Sequence, residues 1–187
     1  MAKLDLYASL LTEWQERMNL VASSTLENVW ERHFADSAQL ARLAVAPGGR
    51  WLDIGSGAGF PAIVLALFCE GEFNLVESTT KKCRFLTEVV ERLDLEQRVT
   101  IHNQRIEALS PLSADIVTAR ACASLQQLFI WGLPHARAAR WLLLKGKTAE
   151  EEVAAARAMF TFDCTLIASR TDPQARIVDA QRVRRRQ

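Results

Sequence analysis

After residue 50, short apolar runs alternate with amphipathic stretches, and this alternation constrains the fold more than any other feature of the chain. The short runs predict strands at 51–54, 73–77, 98–102, 114–119, 140–145, 162–168 and 176–181. The intervening stretches predict helices at 61–70, 81–93, 125–136 and 149–159. Repeated alternation of this kind indicates a mostly parallel seven-stranded sheet with helices on both faces. No helix fits between the last two strands, so they are predicted to form an antiparallel hairpin at one edge.

The residues before this alternation are predicted to be helical. Apolar residues recur at three- and four-residue steps over Leu4–Leu20, which predicts an amphipathic helix. A second helix is predicted over Thr25–Leu43, with Ser23 or Ser24 as its N-cap. The segment "APGGR" (46–50) then interrupts the pattern. A chain of 187 residues with 49% hydrophobic content fits one domain. We therefore expect a single domain over 1–187, with a helical extension (1–45) and an α/β core (46–187).

The segment "LDIGSGAGFPAI" (52–63) combines a strand end, a glycine-rich turn and a helix start. Pro61 is expected at the first helical position, where its missing N–H does no harm. Ligands of doubly wound sheets bind at this kind of turn, beyond the carboxyl ends of the strands. Glycines there let the backbone approach a ligand closely. The alternative is a glycine turn that serves only packing.

The spacing of the glycines separates the candidate ligands. A dinucleotide fingerprint requires G-x-G-x-x-G, and Phe60 stands where its third glycine should be. A P-loop requires a lysine that this turn lacks. What remains is the D-x-G-x-G-x-G form with Asp53, Gly55 and Gly57, which is typical of methyltransferases that use S-adenosylmethionine, a cofactor without phosphate.

Two acidic residues support this interpretation. Glu77 ends the second predicted strand, where a carboxylate can accept hydrogen bonds from both ribose hydroxyls. Asp53 lies inside the first strand and is costly to bury unless it is hydrogen-bonded. We expect Asp53 to orient either the loop amides or the amino group of the cofactor. Alone, each acid would be an ordinary strand-end carboxylate.

Charge and cysteine content exclude several classes of protein. The 23 basic and 22 acidic residues nearly cancel, so any contact with nucleic acid must come from local patches. The four cysteines form no C-x-x-C pair, which argues against a zinc site, and no metal is expected. They fit a reducing cytosol, and no apolar run reaches membrane-spanning length, so we expect a cytoplasmic protein. The tail "RVRRRQ" is interpreted as a solvated, mobile end, with phosphate contact as the alternative.

Further motifs match one family along nearly the whole chain. They are "EWQERMNL" (13–20), "RHFADS" (32–37), "LDIGSGAGFP" (52–61), "LVES" with "KK" and "FL" (75–86), "RIE" (105–107), "ARACASL" (119–125) and "LLKG" (143–146). In these segments the chain resembles the glucose-inhibited division protein B family. The members are bacterial methyltransferases that modify N7 of a guanine in 16S ribosomal RNA. "RHFADS" and "ARA" are not general features of methyltransferases, so the resemblance is specific.

The resemblance implies a Rossmann-like class I methyltransferase fold with N-terminal helices, and S-adenosyl-L-methionine as the cofactor. It also implies the residues that contact this cofactor, which in this chain are Gly55, Phe60, Ile106, Glu107 and Arg120. The expected partner is 16S ribosomal RNA or the small ribosomal subunit, without a membrane, and the protein is expected to be a monomer.

The chemistry of the implied acceptor limits what the protein must supply. Guanine N7 has a free lone pair and no hydrogen, so its methylation requires no general base, and no catalytic acid or base is predicted. The major groove of A-form RNA hides N7, so the base must be unpaired or flipped. Phosphate contacts are predicted from Arg17, Asn19, Arg32, Arg120 and Lys145, with Arg184 to Arg186 as an extension. His33 is placed at the rim; alternatively it bonds Asp36 or Ser37 within a helix.

Three alternatives remain at this point. A nicotinamide-dependent oxidoreductase is disfavoured by Phe60. A ribosome-assembly factor that holds S-adenosylmethionine or RNA without turnover fits the same binding residues. A methyltransferase that acts on another RNA, a protein or a small molecule fits the near-neutral net charge.

Overall fold

A seven-stranded sheet forms the centre of the computed structural model, which describes residues 2–44 and 48–186. Ala46 and Pro47 of the predicted interruption lie outside the described residues. The strands are β1 (Arg50–Ile54), β2 (Glu72–Val76), β3 (Val99–His102), β4 (Ile116–Arg120), β5 (Arg140–Lys145), β6 (Phe160–Ala168) and β7 (Arg176–Arg185). Their order is β3-β2-β1-β4-β5-β7-β6. β1 to β5 are parallel, and β7 runs antiparallel to both β5 and β6. The predicted sheet and its C-terminal hairpin are confirmed.

Helices cover both faces of this sheet. They are α1 (Ala2–Gln15), α2 (Asp36–Ala38), α3 (Ala62–Phe68), α4 (Thr80–Arg92), α5 (Leu125–Gly132) and α6 (Ala149–Ala156). One buried cluster joins Trp51 of the sheet to residues of α1, α3 and α4. The next strand residue, Leu52, belongs to a second cluster with residues of α5 and α6. Side chains alternate between the faces of a strand, so β1 contributes to both cores.

The N-terminal segment is less regular than predicted. α1 ends at Gln15 rather than near Leu20. The helix predicted over 25–43 is confirmed only from Trp30 to Arg42, where it changes from a π-helix (Trp30–Ala35) through the short α2 to a 3-10 helix (Gln39–Arg42). A separate 3-10 turn (Ser23–Thr25) precedes it. The predicted serine N-cap is absent too, since Ala22 precedes the first turn and makes no side-chain cap. We call residues 20–36 the cap segment.

Several predicted boundaries shift at the C-terminal side of elements. α3, α5 and α6 end two to four residues before the predicted ends at Glu70, Ala136 and Met159. Pro61 lies just before the first residue of α3 rather than within it. β7 continues through Arg185, so the arginine-rich tail belongs largely to a strand and not to a mobile end. Within the described part of the chain, none of the helices has the length and apolarity to cross a bilayer.

Candidate active site

A cavity of about 1180 Å³ lies beyond the carboxyl ends of the parallel strands. The loop after β1, the first residues after β2, the turn after β3 and the loop after β4 surround it. The cap segment and the β6–β7 turn close the remaining sides. This is the position that doubly wound sheets offer to ligands. Gly55, Gly57, Phe60, Glu77, Ile106, Glu107 and Arg120 all line this one cavity, as do Arg32, His33 and Lys145.

The glycine loop (Gly55–Phe60) requires glycine at two positions, because the backbone has a positive φ there and a Cβ would meet neighbouring atoms. Gly55 has φ +69°, and a Cβ there would lie 2.8 Å from Cys122 Cβ in the loop after β4. Gly59 has φ +86°, and a Cβ there would lie 2.6 Å from both Ile63 Cδ1 and the Tyr7 hydroxyl. At Gly57, by contrast, a Cβ would meet only a loop carbonyl at 3.8 Å. Neighbouring side chains therefore leave no room for a Cβ at Gly55 or Gly59, whereas a Cβ would fit at Gly57.

Four of the six backbone amides of the loop are already engaged within the protein. Gly55 N and Ser56 N donate to Val76 O at 2.9 and 3.1 Å, and Gly59 N donates to Ser56 O at 2.7 Å. Gly57 N donates to the Glu77 carboxylate at 3.0 Å. A phosphate-binding loop presents free amides to the anion. This loop instead presents a carboxylate beside its central glycine.

Glu77 is fixed from two sides. It follows the last residue of β2, its Oε2 accepts from Gly57 N, and its Oε1 accepts from Thr79 N at 2.7 Å. The residue is 7% exposed. Each carboxylate oxygen can accept more than one hydrogen bond, so both oxygens keep capacity for a ligand. The sequence predicts a contact with ribose for Glu77, and the structure adds that the same carboxylate orients the loop.

Asp53 lies beneath the cavity rather than in its wall. Its Oδ1 accepts from the Thr118 hydroxyl at 2.7 Å, and its Oδ2 is buried without a partner among the described residues. Burial raises the pKa of this carboxyl to about 6, against the hydrogen bond from Thr118, which lowers it. None of the bonded loop amides donates to Asp53, and Gly57 N donates to Glu77. Of the two predicted roles of Asp53, orientation of the amino group of the cofactor stays a prediction.

Phe60 is the point where the N-terminal segment meets the glycine loop. Its ring stacks on Tyr7 with centroids 5.1 Å apart and on His33, also at 5.1 Å. The Arg120 guanidinium carbon lies 4.9 Å from the centre of the same ring. The Tyr7 hydroxyl also donates to Ala58 O in the loop. α1 and the cap segment therefore stabilise the loop through contacts with Phe60 and Ala58.

Arg120 connects the end of β4 to the cap segment. One of its guanidinium nitrogens donates to Arg32 O at 3.0 Å and to His33 Nδ1 at 2.8 Å, and lies 3.7 Å from the Asp36 carboxylate. Arginine has no lone pair to offer, so His33 Nδ1 is the acceptor and Nε2 carries the proton. His33 Nε2 then donates to the Thr25 hydroxyl at 2.7 Å, which donates to Ala22 O at 2.6 Å.

His33 is buried, and its surroundings oppose a positive charge. Burial, followed by the charges of Arg120 and Arg32, lowers the pKa of His33 to about 4. Both ring nitrogens have partners, so the residue is neutral at pH 7 and is not available as a base. Of the alternative bonds to Asp36 or Ser37, the one to Ser37 is present, from the Ser37 hydroxyl to the backbone oxygen of His33. The His33 ring bonds Thr25 and Arg120.

The turn after β3 provides another wall of the cavity. Ile106 and Glu107 belong to the 3-10 helix Ile106–Ala108. Ile106 is buried and lies in the second core cluster, whereas Glu107 is exposed beside the cavity. The two residues therefore offer an apolar surface and a carboxylate next to each other.

Acids pair with most of the cations that the sequence predicts as RNA contacts. Arg17 pairs with Glu13 at 3.0 Å, Arg32 with Asp172 at 2.9 Å and Lys145 with Glu152 at 2.8 Å. Lys145 is only 7% exposed and also donates to Ala123 O at 2.5 Å, so it is not a solvated strand-end lysine. Arg17 and Asn19 are exposed but lie outside the cavity lining.

Sequence reasoning missed two cations at the rim. Lys82, in the first turn of α4, and Arg105, just before Ile106, both line the cavity. Within residues 2–44 and 48–186, neither forms an ion pair. Lys82 lies close in sequence to Glu77, and Arg105 directly precedes Ile106. This nearness to predicted cavity residues could have identified both cations.

All four cysteines are free: Cys69, Cys83, Cys122 and Cys164. Across the described ranges, no group of three His, Cys, Asp or Glu side chains is arranged to hold a metal ion.

Comparisons with known proteins agree on one kind of protein. The family model of GidB, described as rRNA small subunit methyltransferase G, matches residues 1–173. The chain is similar to the Ribosomal RNA small subunit methyltransferase G of Paramagnetospirillum magneticum, with 44% identity over 98% of this chain and 89% of the relative. It is 46% identical to the protein of the same name from Caulobacter vibrioides, over 96% and 83%.

A solved structure shows the same fold. A SAM-dependent methyltransferase from Aquifex aeolicus matches with a TM-score of 0.64 and 16% identity, over 82% of this chain and 92% of that one. The match supports the predicted Rossmann-like methyltransferase fold.

Proposed function

The chain belongs to the GidB family of rRNA small subunit methyltransferases, and from this we propose that it uses S-adenosylmethionine to methylate N7 of a guanine in 16S ribosomal RNA. The observation that carries the proposal is the state of the glycine loop. The amides of Gly55, Ser56, Gly57 and Gly59 are bonded within the protein, and the Glu77 carboxylate lies beside Gly57. Such a site suits a nucleoside cofactor with a positive sulfonium and disfavours one with phosphates.

The residues around the cavity divide the task of holding this cofactor. We assign ribose binding to Glu77, and the adenine position to Ile106 and Glu107. Gly55, Gly57 and Phe60 border the loop side, and Arg120 borders the side of the cap segment. Asp53 supports this floor from below through Thr118. S-adenosylmethionine, when bound, supplies an activated methyl group on its sulfonium.

The protein then has to position the base, not to take a proton from it. Guanine N7 carries no hydrogen, so no general base is required. The cavity agrees with this requirement, because His33 is bonded at both nitrogens and its pKa is about 4. The contribution we expect from the protein is orientation of the acceptor and exclusion of water.

The RNA has to bring an unpaired or flipped guanine to the rim. Arg32, Arg120 and Lys145 line the cavity but are paired with acids, so they order the rim more than they attract phosphate. We add Lys82 and Arg105, which form no ion pair with the described residues, as rim contacts for the RNA. We also propose that the protein acts as a monomer on 16S ribosomal RNA or the small subunit, in the cytoplasm.

Transfer of labelled methyl groups from S-adenosylmethionine tests this function. The purified protein is incubated with 16S ribosomal RNA and with assembled small subunits, and the modified base is then mapped. We expect label on N7 of one guanine with at least one of the two substrates. Label on a different atom, or none with either substrate, would contradict the proposal.

Binding measurements separate the non-catalytic alternative. A ribosome-assembly factor would bind both S-adenosylmethionine and the RNA and transfer no methyl group. Transfer by the wild-type protein and its loss in Gly55→Asp would exclude that role, because the substitution affects the cofactor side alone.

A further inference from the structure

The arginines at the end of β7 lie on the edge of the sheet opposite the cavity. Arg176, at the start of β7, pairs with Lys145 at the carboxyl end of β5. From there β7 runs back along the sheet, and Arg185 pairs with Phe160 at the start of β6. Nine residues of strand separate the two ends, which is roughly 30 Å. The sequence analysis predicted Arg184 to Arg186 as an extension of the phosphate contacts around the cavity. That prediction is wrong, because these residues lie at the other end of the strand.

The end of β7 also projects beyond most of the sheet. The pairing of β7 with β5 ends at Ala180, so residues 181–185 pair with β6 alone. A bulge interrupts this ladder between Thr161 and Asp163, and Arg182 there has φ +53°. The backbone continues past the bulge in order, because Arg186 N donates to Met159 O at 2.8 Å. The result is a short two-stranded ribbon.

The ribbon presents its arginines on both of its faces. Directly paired residues of antiparallel strands share a face, so Arg185 lies on the side of Phe160 and Arg184 on the side of Thr161. Arg184, Arg185 and Arg186 are all exposed. We call these three residues the ribbon arginines.

The charge around the ribbon arginines is positive. Arg182 is paired with Asp163, but no acid of the described chain pairs with the ribbon arginines. Arg157, which follows α6, lies over the Phe162 ring at 4.7 Å and adds a further exposed cation beside the same strand. The three glutamates of α6 lie in its first turn, at the opposite end of the helix from Arg157. The rim cations Arg32 and Lys145, in contrast, each have a carboxylate partner.

We propose that the ribbon arginines form a second RNA-binding surface, which contacts phosphates of the substrate RNA far from the target base. The proposal rests on the proposed function, which supplies a large folded RNA as the substrate. Exposed guanidinium groups without acidic partners bind phosphate well, and a projecting ribbon can reach a neighbouring RNA segment. The family model ends at residue 173, so this surface lies outside the matched region.

The salt dependence of RNA binding tests the proposal. Each phosphate contact that is lost reduces the slope of log K against log salt by about 0.7 to 0.9. We expect Arg184→Gln/Arg185→Gln/Arg186→Gln to reduce the slope for a 16S ribosomal RNA transcript by about two units. The KM for RNA should rise about tenfold at physiological salt, with kcat and affinity for S-adenosylmethionine unchanged.

Three variants control for charge and for folding. Lys81→Gln/Arg84→Gln/Arg92→Gln removes the same charge from the exposed side of α4 and should leave the slope near that of the wild type. Replacement of the ribbon arginines by lysine should also preserve the slope. If the triple glutamine variant does not fold, Arg184→Gln/Arg186→Gln leaves the residue paired with Phe160 in place and should reduce the slope by about 1.5 units.

The outcomes separate this proposal from the function on which it rests. An unchanged slope in the glutamine variants, with active wild-type protein, would overturn the second surface alone. Weaker binding to assembled subunits but not to the naked transcript would also overturn it, because it would indicate an acidic protein as the partner. A wild-type protein that transfers no methyl group to either RNA would contradict the proposed function itself.

Discussion

The glycine loop and the cap segment form opposite sides of one cavity, but different forces hold them in place. The loop depends on backbone: the amides of Gly55 and Ser56 bond Val76 of β2, and neighbouring side chains leave no room for a Cβ at Gly55 or Gly59. The cap segment depends on side chains, above all on Arg120 and His33, which connect β4 to Thr25. A backbone-determined side should tolerate few substitutions, whereas a side-chain network should respond to pH and to changes of single hydrogen bonds.

The largest effect is expected at the loop. Gly55→Asp places a side chain where the backbone has φ +69° and where Cys122 Cβ would lie 2.8 Å from the new Cβ. The strain, the close contact and the added carboxylate should reduce affinity for S-adenosylmethionine at least about 100-fold, which corresponds to roughly 2.7 kcal/mol. Isothermal titration measures this loss.

Gly48→Asp is the matched control. Gly48 has a similar φ of +76°, but a Cβ there would meet nothing within 4 Å, and the residue lies outside the cavity. We expect it to bind the cofactor like the wild type. Equal affinity in both variants would show that the loop does not hold the cofactor.

The same contrast explains what the sequence could and could not predict. The strands from Trp51 onward, the turn at Gly55 and the position of Glu77 follow from local patterns, because parallel strands and their turns have strong sequence signals. The helix predicted over 25–43 begins only at Trp30 and is irregular, because contacts distant in sequence determine that segment. His33 and Phe34 both pack on Phe60, and Arg120 bonds His33 across 87 residues.

Charges were the other part that the sequence could not resolve. A lone Lys145 or Arg32 is compatible with either solvent or phosphate, and their partners Glu152 and Asp172 become neighbours only in the folded sheet. Likewise, the position of the ribbon arginines depends on the direction of β7 relative to β5.

The second prediction concerns pH, for which His33 in the cap segment and Asp53 beneath the cavity should respond in opposite directions. The pKa of His33 is lowered from 6.5 to about 4, so the unfolded state binds more protons and His33 makes folding less favourable as pH falls from 6.5 to 4. The pKa of Asp53 is raised from 3.8 to about 6, so the folded state binds more protons and stability rises as pH falls from 6 to 4. Each contribution is up to about 3 kcal/mol.

Two variants separate these opposing contributions. His33→Asn keeps an acceptor for Arg120 and should lose less stability than the wild type on acidification. Asp53→Asn keeps the acceptor for Thr118 and should lose more. Urea unfolding between about pH 4 and 7 measures both differences. Parallel curves for the wild type and both variants would show that neither group titrates as the structure indicates.

The third prediction concerns Glu77, which belongs to the loop side but acts through a side chain. Glu77→Gln leaves one carbonyl oxygen for two backbone donors, Gly57 N and Thr79 N, so one amide loses its partner. We expect cofactor affinity to fall about tenfold or more, consistent with about 1–3 kcal/mol for a buried unsatisfied group.

Its control is Glu72→Gln at the opposite end of β2. Glu72 is exposed and lies 3.6 Å from Arg50, far from the cavity. Cofactor affinity should not change in this variant. If Glu77→Gln also binds like the wild type, the carboxylate is not what orients the loop.

The smallest effect is expected where the N-terminal segment supports the loop. Tyr7→Phe keeps the stacking on Phe60 but removes the hydroxyl that donates to Ala58 O. The free energy of unfolding should fall by about 1 kcal/mol, because the carbonyl loses its partner while the ring still fills its site. Cofactor affinity should fall only slightly, and kcat should stay the same. Thr12→Val is the control, since Thr12 is exposed and its hydroxyl bonds only Ala8 O within α1. A loss of cofactor binding in Tyr7→Phe as large as in Gly55→Asp would mean that α1, and not the backbone of the loop, determines the geometry of the donor side.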